Sequence, residues 1–203
     1  MKLIGSLGSP FVRKVRIFAI EKEISFDFEC IDVWSPDSVI SNFNPIGKIP
    51  CLHLENGQNL IDSRTIIEYF DSINPQINLI PTMPLDRALV RTTEAIADGL
   101  LEAAILARRE VIFRPPEQQS QEWIQRQMKK VDQALNELSK ILDENEWCHS
   151  KKFGLADIAL GSALDWLKFR MPNYGWGEQH KNLHIFLTKL SSRPSFQMTY
   201  PQN

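Results

Sequence analysis

A proline-containing stretch divides the chain into two parts with different patterns, and this change limits the folds open to it. Residues 74–84 hold three prolines and show neither helical nor strand periodicity, as linkers do. Before them, short runs alternate between strand and helix character, whereas the apolar residues after them recur at helical spacing. The sequence therefore predicts two domains, over residues 1–75 and 85–203, with a linker over 76–84.

The first part predicts a small α/β domain. Asn56-Gly57 favours a tight hairpin turn, because both residues tolerate positive φ. An initial strand–helix–strand order indicates that the first two strands are parallel, since a helical crossover joins parallel strands. We expect a mixed four-stranded sheet with helices. The predicted strands are 2–6, 26–31, 50–54 and 59–61, and the predicted helices are 10–22 and 63–72, with one helical turn near 36–40.

The second part predicts an all-α bundle. The dipeptide Pro115-Pro116 must end one helix or begin the next. Proline lacks the N–H that a helix interior needs, but the first helical position tolerates it. Residues 155–170 are apolar on nearly all sides, which favours the central helix of the bundle. The four predicted helices are 85–113, 117–147, 155–170 and 182–191.

The composition and charge of the chain limit the kinds of molecule that it can bind and indicate its cellular compartment. The chain has 203 residues, 24% of them charged, and a formal net charge of −2. This charge gives no electrostatic reason for tight binding to nucleic acid or to an anionic membrane. Arg13, Lys14 and Arg16 interrupt any apolar core of a signal peptide, and no uncharged apolar stretch reaches the ~18 residues of a membrane span. We therefore expect a cytoplasmic protein.

The cysteines and histidines do not form a metal-binding pattern. Cys30, Cys51 and Cys148 are odd in number and lack CxxC spacing, which argues against a disulfide framework and a zinc site. Cys30 and Cys51 fall in predicted strands, where we expect small buried side chains. The four histidines share no spacing, so we predict no metal site. They are His53, His149, His180 and His184.

Three short segments are candidates for chemistry, and each also has a purely structural explanation. Ser9 before Pro10 suits the N-cap of a helix, yet its hydroxyl can accept from a backbone N–H and still donate its own proton. A loop after the first strand of a parallel pair lies where α/β proteins usually bind ligands. Pro50 opens a strand, and a cis bond after Ile49 would turn backbone groups outward to pair with an extended peptide.

The third segment, Asp62-Ser63, lies between a strand and a helix. Either residue is a good N-cap. Alternatively, Ser63 and the helix amides could hold a carboxylate while Asp62 holds an ammonium group, which together would recognise an amino-acid zwitterion.

Together these segments resemble the glutathione S-transferase superfamily. The matching motifs are Ser-Pro-Phe-x-Arg-Lys-Val at 9–15, Asn-Pro-x-Gly-Lys-Ile-Pro at 44–50 and Asp-Ser-Arg-x-Ile at 62–66. Residues 153–160 and 193–196 are similar to the family's sixth-helix motif and its usual ending. The resemblance covers essentially the whole chain. It implies a thioredoxin-like domain followed by an all-helical domain.

The resemblance also implies roles for individual residues. Glutathione would be the co-substrate, and Ser9 would donate a hydrogen bond to its sulfur, as in the serine-type members of the superfamily. Pro50 would be cis, with the Ile49 backbone pairing with the cysteinyl part of glutathione. The remaining predicted contacts are Phe11, Lys48 at the glycyl carboxylate, and Asp62 with Ser63 at the γ-glutamyl end. A solvated side chain is the alternative for Lys48.

Some positions depart from the family pattern or leave alternatives open. Serine at position 9 and Val12 leave no redox cysteine in the loop, which disfavours disulfide-reductase chemistry. Asp62 replaces the commoner glutamate and is one methylene shorter, so its reach to the ammonium group is altered. Ser6 and Ser38 are alternative hydroxyls.

The second substrate is predicted only as a small electrophile held between the domains. Arg108, Arg109 and Trp166 are candidates for its pocket. A cationic helix end explains the two arginines at least as well, and core packing explains Trp166 better. We expect a homodimeric glutathione transferase. The alternatives are a non-catalytic interaction or stress-response protein of the same fold, and a glutathione-dependent isomerase or peroxidase.

Overall fold

The computed structural model describes residues 1–149 and 152–202, which divide into two compact units. The first unit is Met1–Ile80 together with the segment from Ser191 onward, and the second is Pro81–Leu190. This division differs from the predicted one, which ended the first domain at residue 75 and placed the C-terminal segment with the helices. Periodicity describes a segment locally, whereas contacts with the first unit decide where the C-terminal segment belongs.

The first unit contains the predicted mixed sheet, in the order β2-β1-β3-β4. Strand β1 pairs parallel with β2 and antiparallel with β3, and β3 pairs antiparallel with β4. The strands are β1 (Lys2–Gly5), β2 (Asp27–Cys30), β3 (Cys51–His53) and β4 (Asn59–Ile61).

Cys30 is exposed, so the expectation that it is buried is wrong. It ends β2, which lies at the edge of the sheet, and both end residues of this strand are exposed. Cys51, in contrast, lies on the inner strand β3 and is buried. The three cysteines are free thiols.

Two long helices complete the first unit, α1 (Pro10–Glu21) and α2 (Ser63–Ile73). Lys22, just after α1, is fully buried. Its Nζ donates to Asp71 Oδ1 at 2.9 Å and to the carbonyl oxygens of Asn74 and Ile77 at 2.6 Å each. Its Nζ also lies 3.3 Å from the Asp71 carbonyl oxygen, and these four acceptors compensate the buried ammonium, which would otherwise be costly to desolvate. The contact joins the end of α1 to the end of α2 and to the segment after it.

The second unit is helical, as predicted. Helix α5 is buried on all sides from Leu155 to Leu167, which confirms its central position. Its first turn is closed by Asp157, whose Oδ2 accepts from the Gly154 N–H at 2.9 Å. The predicted second helix is shorter than expected and ends at Leu142, before a residue with positive φ at Asp143. The helices are α3 (Pro84–Phe113), α4 (Gln121–Leu142), α5 (Leu155–Arg170), α6 (Trp176–Gln179) and α7 (Lys181–Leu190).

A further short helix, α8 (Pro194–Met198), follows in the C-terminal segment and belongs to the first unit. Neither α6 nor α8 is predicted from the sequence, because helices of four or five residues are too short to show a periodic apolar face. Among the described residues, no helix combines the length and apolar character that a membrane crossing requires.

Candidate functional site

The three candidate segments lie at one end of the strands, where β1 and β4 finish and β3 begins. In the register of the sheet, Ile4 on β1 pairs with Cys51 on β3, and Cys51 pairs with Ile61 on β4. Ile4, Cys51 and Ile61 thus form one row across the three strands. Just beyond this row lie the loop after β1, the residue before β3 and the residue after β4. Because neighbouring strands are about 4.8 Å apart, this row spans roughly 10 Å from β1 to β4. Segments distant in sequence are thus brought to one small area.

Ser9 caps the start of α1, as predicted. Its backbone is extended, with φ −83° and ψ 124°, and its Oγ accepts from the Val12 N–H at 3.4 Å. Pro10 occupies the first helical position, where its missing N–H leaves no hydrogen bond unmade. Ser9 is half-buried, and a hydroxyl that accepts one hydrogen bond can still donate its own proton.

The Ile49–Pro50 peptide bond is cis, as expected. Pro50 is buried, Ile49 is half-buried and Lys48 is exposed. The bond directly precedes β3. Because the first residue of β3, Cys51, pairs with Ile4 near the end of β1, the bond lies at the end of the strand pair from which the Ser9 loop begins.

Asn44 shapes the approach to this bond, a role that the sequence analysis did not assign. Its side chain is 1% exposed, and its Nδ2 donates to the Lys48 carbonyl oxygen at 2.6 Å. Its Oδ1 accepts from the Ile46 N–H at 3.1 Å, which closes an Asx turn. The Asn-Pro-x-Gly sequence carries a signal for this turn, but the contact with Lys48 depends on the folded loop. Gly47 completes the turn with a φ of +64°.

Asp62 is the N-cap of α2, which decides between the two predicted candidates. Its Oδ1 accepts from the Arg64 N–H at 2.8 Å and lies 3.3 Å from Arg64 Nε. The backbone of Asp62 has a φ of +72°, which is uncommon for a residue other than glycine. Ser63 follows with 5% of its surface exposed. Strained backbone of this kind concentrates at binding sites, where surrounding structure holds it in place.

Opposing effects act on the Asp62 carboxyl group. Burial raises its pKa. Hydrogen bonds from the Arg64 side chain and backbone, together with the positive charges of Arg64 and Lys14, lower the pKa by more than burial raises it. The net result is a pKa below the ordinary value, so the group is a carboxylate at neutral pH. The side chain is 49% exposed, which leaves it accessible to a cationic ligand.

The remaining predicted residues have different surroundings. Phe11 is half-buried in the first turn of α1. The alternative hydroxyl Ser38 has an Oγ that is buried without a hydrogen-bond partner in the structure, whereas Ser6 is half-buried and its carbonyl accepts from the Ser9 N–H at 3.2 Å. As whole residues, all three serines are half-buried.

The three residues suggested for a second-substrate pocket lie in the helical unit. Arg108 is half-buried and Arg109 exposed near the end of α3, and Trp166 on α5 is 5% exposed. Their assignment to a pocket stays a prediction. Within residues 1–149 and 152–202, no group of three or more His, Cys, Asp or Glu side chains is placed to hold a metal ion.

Sheet order, the cis proline and the two capped helices define a thioredoxin-like domain, and comparison with known proteins specifies its family. Residues 8–73 match the profile described as "Glutathione S-transferase, N-terminal domain", and residues 121–187 match "Glutathione S-transferase, C-terminal domain". The chain therefore belongs to the glutathione S-transferase family.

Individual relatives agree with this assignment. The uncharacterized GST-like protein YibF of Escherichia coli K12 is 37% identical, and the match covers 99% of this chain and 98% of that protein. A glutathione S-transferase from Methylobacillus flagellatus KT, solved with GSH bound, is 38% identical with a TM-score of 0.95, covering 99% of each chain. A maleylacetoacetate isomerase of Pseudomonas aeruginosa is 32% identical over 79% of this chain and 74% of that protein.

Proposed function

We propose that this protein is a glutathione transferase of serine type, which binds glutathione at the sheet edge and uses Ser9 to stabilise its thiolate. The observation that carries the proposal is the common row of Ile4, Cys51 and Ile61, from which the Ser9 loop, the cis Ile49–Pro50 bond and the Asp62 cap all extend. Bound GSH in the Methylobacillus structure supports glutathione as the ligand.

The three segments suit the three parts of the tripeptide. The backbone of Ile49 would pair with the cysteinyl residue, as an added strand does. Asp62 would accept from the γ-glutamyl ammonium, while Ser63 and the first amides of α2 would hold its carboxylate. Lys48 is exposed and would meet the glycyl carboxylate, and Phe11 would contact the bound tripeptide from the first turn of α1.

Asp62 can serve the helix and the ligand together. Its Oδ1 accepts from the Arg64 N–H at 2.8 Å, while its Oδ2 makes a longer contact of 3.4 Å with Arg64 Nη2. A carboxylate offers about four lone-pair sites, so capping leaves acceptor capacity for an ammonium group.

The strength of the Ser9 contact is sufficient for thiolate formation. A free cysteine thiol has a pKa of ~8.5, and lowering it by about two units requires ~2.7 kcal/mol of preferential thiolate stabilisation. A hydrogen bond to a charged acceptor supplies about 1.5–3 kcal/mol, and the start of α1 adds about 0.3–1 kcal/mol. The thiolate would then attack the electrophilic atom of a small molecule, forming a thioether and releasing the leaving group.

Isomerisation is a second candidate, favoured by the 32% identity to the maleylacetoacetate isomerase. In that reaction the thiolate would add to the substrate and leave again, so glutathione would be regenerated. The first substrate and the role of Ser9 would be the same. We further propose a cytoplasmic homodimer that acts on small electrophiles, as in detoxification.

The test begins with the wild-type protein and glutathione. Isothermal titration should show binding, and the ultraviolet absorbance of the thiolate should show that bound glutathione ionises at a lower pH than free glutathione. Product analysis then separates the reactions, because conjugation consumes glutathione and isomerisation does not. Binding without ionisation or turnover would replace the enzyme with a non-catalytic member of the fold, and the absence of binding would overturn the proposal.

A further inference from the structure

The C-terminal segment lies along the whole of α1, in the opposite direction. At the far end of the helix, Glu21 accepts from Arg193, with Nη2 at 2.6 Å from Oε2 and Nε at 3.1 Å from Oε1. The Ser195 hydroxyl donates to the same carboxylate. A bidentate arginine–carboxylate pair is the geometry that fixes orientation best. We call residues 193–202 the tail.

The middle of the tail surrounds Arg13, which is 2% exposed. Arg13 Nη2 donates to the Phe196 carbonyl oxygen at 3.3 Å, and its Nε donates to Thr199 Oγ1 at 3.4 Å. The guanidinium carbon lies 5.2 Å from the centroid of the Phe196 ring and 5.9 Å from that of Tyr200. Two hydrogen bonds and two cation–π contacts therefore join the first turns of α1 to residues about 185 positions away.

The end of the tail reaches the loop that carries Ser9. The Gln202 N–H donates to the Leu7 carbonyl oxygen at 3.4 Å, and Pro201 before it is buried. Leu7 lies two residues before Ser9, inside a loop that is closed by the hydrogen bond from the Ser9 N–H to the Ser6 carbonyl. The tail is thus fixed at Glu21, packs on Arg13 and ends beside the active loop.

We propose that residues 200–202 position the Leu7–Ser9 loop and thereby set how well Ser9 stabilises the glutathione thiolate. This inference rests on the proposed function. The cap bond from the Val12 N–H to Ser9 is long, at 3.4 Å, and the bond from the Gln202 N–H to Leu7 is equally long, so several weak contacts together hold the loop. Since a displacement of 1 Å at a reacting group can cost about 100-fold in rate, the contact with Leu7 and the packing of Pro201 matter for chemistry. Residues 200–202 are positioning residues, because they act through the loop.

The experiment compares the two ends of the tail in the full protein. A chain that ends at Thr199 loses the Tyr200 ring, Pro201 and the Gln202 N–H, but it keeps both hydrogen bonds of Arg13. Arg193→Gln breaks the ion pair with Glu21 at the far end and serves as the control. Both variants should lower the melting temperature.

Only the truncated chain should change the chemistry. We expect the ionisation midpoint of bound glutathione to rise by roughly 0.5 pH unit or more, and kcat/KM at neutral pH to fall about threefold to tenfold. Arg193→Gln should leave the midpoint unchanged. Equal stability losses with no shift in either variant would overturn the inference, because the tail would then be purely structural.

A finer pair isolates the contact with Leu7. Gln202→Pro removes the N–H donor, whereas Gln202→Ala keeps it, so only the proline variant should reproduce part of the shift. Identical midpoints for these two variants would overturn the assigned contact. A wild-type protein that binds no glutathione would overturn the proposed function and this inference together. A wild-type protein with a lowered thiol midpoint that truncation does not move would overturn this inference alone.

Discussion

The helices α1 and α2 both begin at the candidate site, yet their N-caps differ in what they leave available. Ser9 accepts one long hydrogen bond and keeps a hydroxyl proton to donate. Asp62 accepts a short one and carries a negative charge that its arginine neighbour stabilises. Under the proposed function, one helix start would bind the thiolate and the other the zwitterion, with its ammonium group toward Asp62. Every helix N-terminus offers free N–H groups, so we expect the capping side chain to decide which ligand is preferred.

The strongest test of this contrast removes the donor at α1. Ser9→Ala should raise the activation barrier by about 1.5–3 kcal/mol, a loss of roughly 10- to 150-fold in kcat/KM, because one charge-assisted hydrogen bond is removed. Ser6→Ala, in the same loop, is the matched control and should stay near wild type. Steady-state assays with glutathione and a model electrophile measure both. Unchanged turnover in Ser9→Ala would move the thiolate contact to another group.

At α2, the corresponding change should affect binding more than turnover. Asp62→Ala should weaken glutathione binding about tenfold, since the ammonium group loses a charged acceptor. Asp62→Asn keeps an oxygen for the Arg64 N–H but lacks the charge, so it separates capping from recognition. Isothermal titration should give weak binding for both variants. Wild-type affinity in Asp62→Asn would mean that only the cap matters.

The pH dependence at Asp62 has a defined sign. Its folded pKa lies below the ordinary 3.8, so its contribution to stability is complete above that pH and is lost as the pH falls through the folded pKa. Arg64→Ala should raise this pKa and shift the loss to higher pH, because the side-chain hydrogen bond and the positive charge of Arg64 are removed while the backbone N–H of residue 64 still donates. Nuclear magnetic resonance titration of the Asp62 carboxyl carbon measures the midpoint. An unchanged midpoint would contradict the role given to Arg64.

The smallest expected effect is at Lys48, which is exposed. Lys48→Ala should raise the KM for glutathione about twofold to fivefold, since exposed ion pairs contribute at most ~1 kcal/mol. Glutathione esterified at its glycyl carboxylate is the control substrate, and it should show no difference between wild type and variant. A larger effect with the ester than with glutathione would exclude this pairing.

Much of the fold followed from local patterns. The start of α1 at Pro10, the full extent of α5 and the parallel first strand pair were predicted, because caps, helical periodicity and crossover length are properties of short segments. The structure also confirms the cis Ile49–Pro50 bond. That bond was expected only through the family resemblance, since composition alone favours a trans bond.

Other features had no local signal. The exposure of Cys30 depends on the place of β2 at the edge of the sheet, and the buried side chain of Asn44 depends on how the following loop folds around it. In the same way, the pairing of Asp62 with Arg64 involves neighbours in sequence, but the positive φ of Asp62 is seen only in the folded chain.

The sequence by itself determined the two kinds of architecture, the helix start at Ser9, and a second helix start at either Asp62 or Ser63. Only the tertiary structure decided that these residues share one edge of the sheet and that the C-terminal tail packs along α1. The physical reason is the sequence separation of the interacting residues. Caps and periodic faces are set by residues within one or two turns, whereas strand register and the partners of a buried charge such as Arg13 come from segments far apart in the chain.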